Sequence, residues 1–110
     1  MKPRFVYIIA NKNNTTIYLG VTSNLPQRIL DHKEKRYKNS FSARYNLNKL
    51  VYYEQFASPV RFRSGQMIGD AIGREKQLKG GSRAIKIELI ERINQNWEDL
   101  YDEIINILLI

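Results

Sequence analysis

The sequence FVYIIANKNNTTIYLGVT, residues 5–22, decides the fold of this chain. Its two ends are rich in β-branched and aromatic residues, which favour strands, and its middle is rich in Asn and Thr, which favour turns. The pattern therefore predicts a β-hairpin. If the loop has four residues and Ala10 pairs with Thr15, Tyr7 lies directly opposite Tyr18, and the two side chains share one face and touch.

A helix is predicted directly after the hairpin. Asn24 is a favourable N-cap residue, and Pro26 falls in the first turn, where proline is tolerated. On this helix Arg28 and His32 are four residues apart, so they neighbour each other on one face. A guanidinium pairs with phosphate oxygens, and an imidazole or phenol beside a water can relay its proton. The set suits phosphodiester chemistry, although the spacing alone also fits strand tyrosines beside a solvated helix face.

Charge is distributed unevenly along the 110 residues, whose net charge is +7. Residues 1–87 hold 17 Lys and Arg against 5 Asp and Glu, whereas residues 88–110 hold 1 against 6. A basic body suggests a surface for a polyanion, and we expect nucleic acid to be the partner. The alternative is a charge that serves only solubility.

The composition excludes several classes of protein. The chain has no cysteine, which excludes disulfides and cysteine-ligated zinc and fits a reducing compartment. The apolar run near the start is too short for a signal peptide, and the apolar end, residues 104–110, is too short to span a membrane. We expect a single domain over residues 1–110, cytoplasmic and without a membrane partner.

The basic residues that follow the first helix are mixed with aromatic ones. This mixture suits contact with a phosphate backbone together with stacking on exposed bases. A solvated helix end with core aromatics would give the same pattern. Gly20 lies inside a predicted strand, where glycine marks a kink or the close approach of a phosphate or another backbone. The predicted nucleic-acid contacts here are Gly20, Lys33, Arg36, Lys38 and Arg44.

A third strand is predicted for residues 48–56, followed by a long connection over residues 57–69. Strict alternation divides the strand's side chains between two faces. One face would hold Leu50, Tyr52, Glu54 and Phe56, and the other Val51, Tyr53 and Gln55.

Three further helices are predicted after the long connection. The first is capped by Asp70 and runs to Lys79, with Glu75 inside an apolar stripe formed by Ala71, Ile72 and Leu78. A carboxylate on an apolar face needs a partner, which is either a metal ion or a cation such as Arg28. The second begins at Ser82, and its isoleucines, Ile85 and Ile93 included, are expected to be buried. Asn96 is expected to cap the third helix, with Glu98 and Asp99 in its first turn.

The order and spacing of these motifs resemble the GIY-YIG nuclease superfamily over roughly residues 4–103. The resemblance rests on Val6-Tyr7-Ile8, Tyr18-Leu19-Gly20, Arg28 with His32, and the segment around Glu75, which matches the family's metal-binding glutamate. The small stand-alone bacterial members are the most similar. They share the segments Tyr45-Asn46, residues 50–54 and the ending Asn94…Trp97…Asp99. The chain departs from the pattern at Phe5, where the family has its first glycine, and in the longer connection over residues 57–69.

The resemblance implies an α/β fold with a three-stranded, mainly antiparallel sheet flanked by helices, including C-terminal helices. It also implies a metal-dependent endonuclease that uses Mg²⁺ or Mn²⁺. Tyr7 would activate water or orient it through Tyr18 or His32, Arg28 would stabilise charge on the phosphate, and Glu75 would hold the ion.

We expect a DNA substrate, weak sequence specificity or a preference for structure, and a setting such as DNA repair. The resemblance also adds Tyr45 to the predicted nucleic-acid contacts. Two alternatives remain open: a nucleic-acid-binding module with negligible cleavage, and a protein-interaction domain with a relic site.

Overall fold

The computed structural model describes residues 4–56, 60–61, 67–68 and 71–108. Strands β1, β2 and β3 form an antiparallel sheet in the order β2-β1-β3, and β4 pairs with β5 in a separate ribbon. The elements are β1 (Arg4–Ala10), β2 (Ile17–Thr22), α1 (Leu25–Lys33), α2 (Phe41–Arg44), β3 (Lys49–Phe56), β4 (Val60–Arg61), β5 (Met67–Ile68), α3 (Ala71–Lys79), α4 (Arg83–Ile93) and α5 (Tyr101–Leu108). The predicted α/β class and three-stranded antiparallel sheet are confirmed. The sequence did not predict α2 or the β4–β5 ribbon, and the proposed cap Asp70 lies outside the described residues.

The central position of β1 explains its unbroken apolar sequence. Helices cover both faces of the sheet, so every side chain of residues 5–10 is buried. Val6 and Ile8 pack with residues of α3 and α4, whereas Tyr7 and Ile9 pack with residues of α1 and α5. The sheet is therefore the middle of three layers, and Tyr7 belongs to the layer that contains α1.

The hairpin register differs from the predicted one by two residues. Tyr7 pairs with Gly20, and Tyr18 pairs with Ile9, so the two tyrosines are diagonal neighbours. The four-residue loop was wrong because Asn11 closes a longer one, its Oδ1 accepting from the backbone N–H groups of residues 15 and 16 at 2.9 Å. A shift of two residues keeps each side chain on its face, so both tyrosines still lie on the same side of the sheet.

A β-bulge changes the predicted faces of β3. Ile8 pairs with Tyr52 but Ile9 pairs with Leu50, which leaves Val51 as the extra residue. Leu50 consequently packs on the face of Tyr7, and Val51 packs on the opposite face. The strict alternation predicted for these two residues was wrong, whereas it holds from Tyr52 onward.

The segment between α4 and α5 pairs with the backbone around this bulge. Asn94 Nδ2 donates to the Val51 carbonyl at 3.0 Å, and Asp99 Oδ1 accepts from the Leu50 N–H at 3.2 Å. Asp99 Oδ1 also accepts from the Tyr101 N–H at 3.0 Å, at the start of α5. The prediction that Asn96 caps this helix was therefore wrong, because the preceding residues serve the sheet rather than a helical turn.

Several isoleucines that were expected to be buried are exposed. Ile72 on α3 and Ile85 and Ile93 on α4 have 42%, 48% and 62% of their surface exposed. Ser82 caps α4 as predicted, its hydroxyl accepting from the Ile85 N–H. A sheet of three strands is too narrow to cover the whole apolar surface of two helices, so α3 and α4 bury mainly Leu78 and Ile90. Among the described helices, none is long and apolar enough to cross a membrane.

Gly20 is required by the ring of Tyr7. A Cβ atom at position 20 would lie 2.5 Å from the Tyr7 hydroxyl oxygen and 2.6 Å from its Cζ. Because that ring is buried and 1% exposed, it has little room to move. We expect Gly20→Ala to lower the free energy of unfolding by about 1–3 kcal/mol, the usual cost of overpacking. Urea unfolding measures the change.

Gly73 provides a matched control for this substitution. Apart from the adjoining residues and the backbone of its own helix, no atom of the described residues lies within 4 Å of a Cβ placed there, and the residue is in the middle of α3. Gly73→Ala should raise the free energy of unfolding by about 0.5–1 kcal/mol, because alanine favours a helix interior. If Gly20→Ala were as stable as the parent protein, the close packing of Tyr7 over β2 would be contradicted.

Candidate active site

A cavity of about 170 Å³ opens beside the hairpin, between α1 and the segment that contains α2. It brings together the four residues predicted to be catalytic, which are Tyr7, Tyr18, Arg28 and His32. The remaining lining residues are Asp31, Lys35, Tyr37, Ser40, Phe41 and Ser42. The hairpin and the following helix therefore meet as the sequence predicted.

Helix α1 is held in one orientation by its cap and its apolar side. The Asn24 side chain accepts a hydrogen bond from the Gln27 N–H at 3.3 Å, and Leu25 and Ile29 are fully buried. With these residues facing the sheet, Arg28 and His32 lie on the adjoining side and reach the cavity. The predicted cap and the pairing of Arg28 with His32 on one face are both present.

The Tyr7 hydroxyl belongs to a side chain that lines the cavity although only 1% of its surface is exposed. It lies 3.0 Å from Nε2 of His32. Burial raises the pKa of Tyr7 well above 10, and the nearby charges of Tyr18 and Glu75 raise it further. The positive charge of the Arg28 guanidinium lowers that pKa in opposition. The phenol is consequently neutral at physiological pH, with a cation beside its oxygen.

His32 is held on both ring nitrogens. Nδ1 lies 2.8 Å from the Ser42 hydroxyl oxygen, and Nε2 faces Tyr7. Burial lowers the pKa of His32, and the Arg28 charge lowers it further, while Asp31 raises it. A neutral imidazole has one donor and one acceptor nitrogen. Because the nearby Arg28 charge favours release of the Tyr7 proton, we assign the phenol as the donor to Nε2 and place the ring proton on Nδ1, which donates to Ser42.

Sequence reasoning missed Ser42. The residue lies in α2, which has only four residues and therefore too few turns to show a helical period. The Ser40 side chain caps this helix by accepting from the Ala43 N–H at 3.3 Å, and its oxygen lies 3.2 Å from that of Ser42. A pair of serines two residues apart in a basic segment was the available signal.

Arg28 carries an unsatisfied hydrogen-bond donor. Its Nε is buried and, within the described part of the chain, has no hydrogen-bond partner. Buried polar atoms are rarely left unpaired, and a guanidinium donates to anionic oxygens in a fixed geometry. An orphaned guanidinium N–H in a side chain that lines a cavity is the arrangement expected where an anion binds.

Glu75, the predicted metal ligand, does not line the cavity. Arg74, its neighbour on α3, donates from Nε and Nη2 to the carboxylate of Glu54 on β3, at 3.0 Å for the closer contacts, and so anchors the helix. The Glu75 carboxylate lies 3.5 Å from Lys79 Nζ and is close enough to affect the pKa of Tyr7. Among the described residues, no group of three or more His, Asp or Glu could hold a metal ion. A single carboxylate that shares a divalent ion with water and phosphate is compatible with Glu75.

The predicted nucleic-acid contacts lie in different surroundings. Lys33 points away from the cavity, where its ammonium pairs with Asp99 and donates to the Asn48 carbonyl at 2.9 Å. Arg36 forms an ion pair with Asp31, with its Nε 3.3 Å from Asp31 Oδ1. Gly20 lies beneath the ring of Tyr7. The remaining three, Lys38, Arg44 and Tyr45, are exposed. The packing of Tyr7 accounts for Gly20 on its own, and nucleic-acid binding by these residues stays a prediction.

Comparisons with known proteins agree with this arrangement. The profile of the GIY-YIG catalytic domain matches residues 3–88. A UPF0213 protein of Syntrophus aciditrophicus (strain SB) is 29% identical over 92 residues, which cover 84% of this chain and 94% of that protein. No solved structure matches the chain significantly. The profile covers well over half of the chain, including both tyrosines, Arg28, His32 and Glu75, and the chain therefore belongs to the GIY-YIG catalytic domain family.

Proposed function

We propose that this protein is an endonuclease that hydrolyses phosphodiester bonds of DNA with the help of one divalent cation. Membership of the GIY-YIG family implies nuclease-type activity on nucleic acid. The choice of DNA, the need for Mg²⁺ or Mn²⁺, the cytoplasmic setting and the role of each residue are the further steps of the proposal. One observation carries it: a phenol hydrogen-bonded to a neutral imidazole beside a guanidinium with an unpaired N–H.

The first role belongs to Tyr7 and His32, which form a path for a proton. An attacking water gives its proton to the Tyr7 oxygen as Tyr7 gives its own proton to Nε2 of His32. Such a relay avoids a free phenolate, which burial makes unfavourable at Tyr7. Ser42 accepts from Nδ1–H and keeps the Nε2 lone pair directed at Tyr7. His32 is therefore the base, and Ser42 is a positioning residue.

The second role belongs to Arg28, which receives the phosphate. Its buried Nε–H donates to a non-bridging oxygen, and its charge stabilises the negative charge that develops on the phosphoryl group. A donor already fixed in a partly buried site needs no reorganisation during the reaction. Arg28 thus contributes more to the transition state than to the binding of the substrate.

The third role belongs to Glu75, which would hold the divalent cation together with phosphate and water oxygens. When bound, such an ion polarises the phosphoryl group and stabilises the leaving oxygen. The position of Glu75 close to Tyr7, on a helix anchored by Arg74, supports this role. Its ion pair with Lys79 joins residues four apart on one helix, with Lys79 about half exposed. Such pairs are weak and can be exchanged for a metal ion.

A nucleic-acid-binding module without cleavage is the second candidate. The exposed basic and aromatic residues after α1 favour it, because they suit binding whether or not the bond is cut. The two candidates differ in what the Tyr7 hydroxyl contributes.

Variants of Tyr7 and Arg28 separate the enzyme from the binder. Tyr7→Phe keeps the ring over Gly20 but removes the relay, so the single-turnover cleavage rate should fall by about 10²–10⁴. Arg28→Ala should lower it by roughly 10²–10³, with a smaller effect on binding. Cleavage and affinity are measured on the same preparations, with linear, flapped, branched and single-stranded substrates.

Tyr53→Phe is the matched control for Tyr7→Phe. Tyr53 pairs with Tyr7 across β1 and β3 and packs on the same face, but it does not line the cavity. This variant should cut at the parent rate. A parent protein that cuts no substrate in the panel, or a Tyr7→Phe variant that keeps the parent rate, would contradict the nuclease proposal.

Substitution of Glu75 tests the metal site. Glu75→Gln keeps the shape of the side chain but removes its charge, so cleavage in Mg²⁺ should fall to the level seen in EDTA, while binding in EDTA stays close to that of the parent. Glu88→Gln is the control, since Glu88 forms a comparable ion pair with Arg92 on α4. Equal cleavage rates for Glu75→Gln and the parent would mean that Glu75 is only the partner of Lys79.

The pH dependence of cleavage tests His32 as the base. Only the neutral ring accepts a proton, and burial and Arg28 lower the pKa of His32 from its ordinary 6.5. As pH falls, kcat/KM should therefore begin to drop below pH 6.5 rather than at it. His32→Gln should lose this limb together with most of the rate. If kcat/KM of the parent instead fell with a midpoint above pH 6.5, the proposal that a neutral His32 with a lowered pKa is the base would be contradicted.

A further inference from the structure

Three aromatic rings form a continuous row that leads out of the cavity. The Tyr18 and Phe41 ring centroids are 6.2 Å apart, and those of Phe41 and Tyr45 are 4.6 Å apart. Both separations lie in the range of offset aromatic contacts. Tyr18 is half-buried, whereas Phe41 and Tyr45 each have 47% of their surface exposed. We call these three residues the aromatic row.

The local structure keeps the outer rings of the row in solvent. Helix α2 buries its small residues, Ser42 and Ala43, against the protein, so Phe41 at its start faces outward. Tyr45 follows one turn later, and its N–H donates to the Phe41 carbonyl at 3.1 Å. Core packing would bury the phenylalanine and expose the serine. Here Phe41 is half exposed and Ser42 is buried, so core packing does not explain the position of Phe41.

The aromatic row is continuous with the candidate active site. The Tyr18 ring centroid lies 6.3 Å from that of His32, and Phe41 lines the same cavity as Arg28. Ser42, the residue after Phe41, contacts His32. Helix α2 therefore fixes the imidazole with one residue and presents an aromatic face with the preceding one.

The charges around the aromatic row indicate which kind of ligand it would bind. Lys35, Lys38 and Arg44 are exposed in the same segment, and Lys35 lines the cavity. Aromatic faces bordered by cations, next to a guanidinium with a free donor, suit a base and its phosphate rather than an apolar peptide. In a duplex each base is stacked and paired, so its face is not accessible to a ring at the protein surface.

We propose that the aromatic row stacks an unpaired nucleobase next to the phosphate held by Arg28. The protein then prefers nucleic acid whose bases are free at the cleavage point, such as a single strand or a flap, over a continuous duplex. This inference rests on the proposed function for its phosphate, but stacking itself requires neither metal nor cleavage.

Binding of a single strand that contains 2-aminopurine, measured in EDTA, tests the aromatic row. Stacking of this base on an aromatic ring quenches its fluorescence. We expect the parent to quench the signal and Phe41→Ala to bind the strand about 5- to 150-fold more weakly, with the quenching lost. Phe41→Trp should retain both properties. Affinity for a fully paired duplex should change much less.

Two further variants keep the test decisive. Phe41→Leu retains an apolar side chain without a ring, so it should resemble Phe41→Ala, and Tyr45→Ala should weaken single-strand binding even if position 41 tolerates no change. Ile93→Ala, at an exposed apolar position on α4, should bind as the parent does. Thermal unfolding checks that each variant is folded.

The outcomes for this inference and for the proposed function are distinct. The stacking inference would be overturned if Phe41→Leu bound the single strand and quenched its fluorescence as the parent does. It would also be overturned if Phe41→Ala lost affinity for single strand and duplex equally. Neither result would contradict cleavage by the parent. Quenching by a parent that cuts no substrate would leave the stacking inference intact and overturn the nuclease.

Discussion

The burial of the Tyr7 hydroxyl is the constraint on which the rest of the structure depends. Tyr7 lies on the central strand, where its ring belongs to the core, yet its oxygen must find a hydrogen-bond partner because an unpaired buried hydroxyl is costly. The ring reaches that partner across β2 only because Gly20 has no Cβ. The partner is His32, which requires α1 to lie with its Leu25 and Ile29 side on the sheet. The burial of the Tyr7 phenol thus requires both a glycine at position 20 of β2 and the observed orientation of α1.

The bulge in β3 has a similar effect on the other side of β1. It turns Leu50 toward the layer of Tyr7, and the backbone around it is paired with Asn94 and Asp99 rather than with β1 alone. These two residues lie beyond the residues 3–88 that match the family profile. The segment after α4 therefore completes the sheet that carries the site, and its hydrogen bonds explain why an asparagine and an aspartate occur there.

Prediction from the sequence succeeded where local patterns or the family motif determine the structure. It failed where specific hydrogen bonds, an irregular strand or a very short helix determine it. Apolar runs and caps predicted the three strands, α1 from Asn24 and α4 from Ser82, and the motif predicted that Tyr7, Tyr18, Arg28 and His32 meet. The loop length was wrong because the two hydrogen bonds accepted by Asn11 cannot be read from turn composition. The faces of Leu50 and Val51 were wrong because strict alternation contains no bulge. Ser42 was missed because a helix of four residues has no period.

The position of Arg28 imposes an order on the proposed proton transfer. Its charge favours loss of the proton from Tyr7 and disfavours the imidazolium of His32, so the same cation promotes one half of the relay and opposes the other. A phosphate oxygen at Arg28 Nε brings a negative charge close to both groups, which offsets the guanidinium at His32 and makes its protonation easier. In the proposed relay Tyr7 gains one proton as it loses another, so its own charge does not change, and the effect of the phosphate on His32 favours the transfer. A neutral His32 in the free protein is required by this order, because a ring already protonated would have no lone pair for the proton of Tyr7.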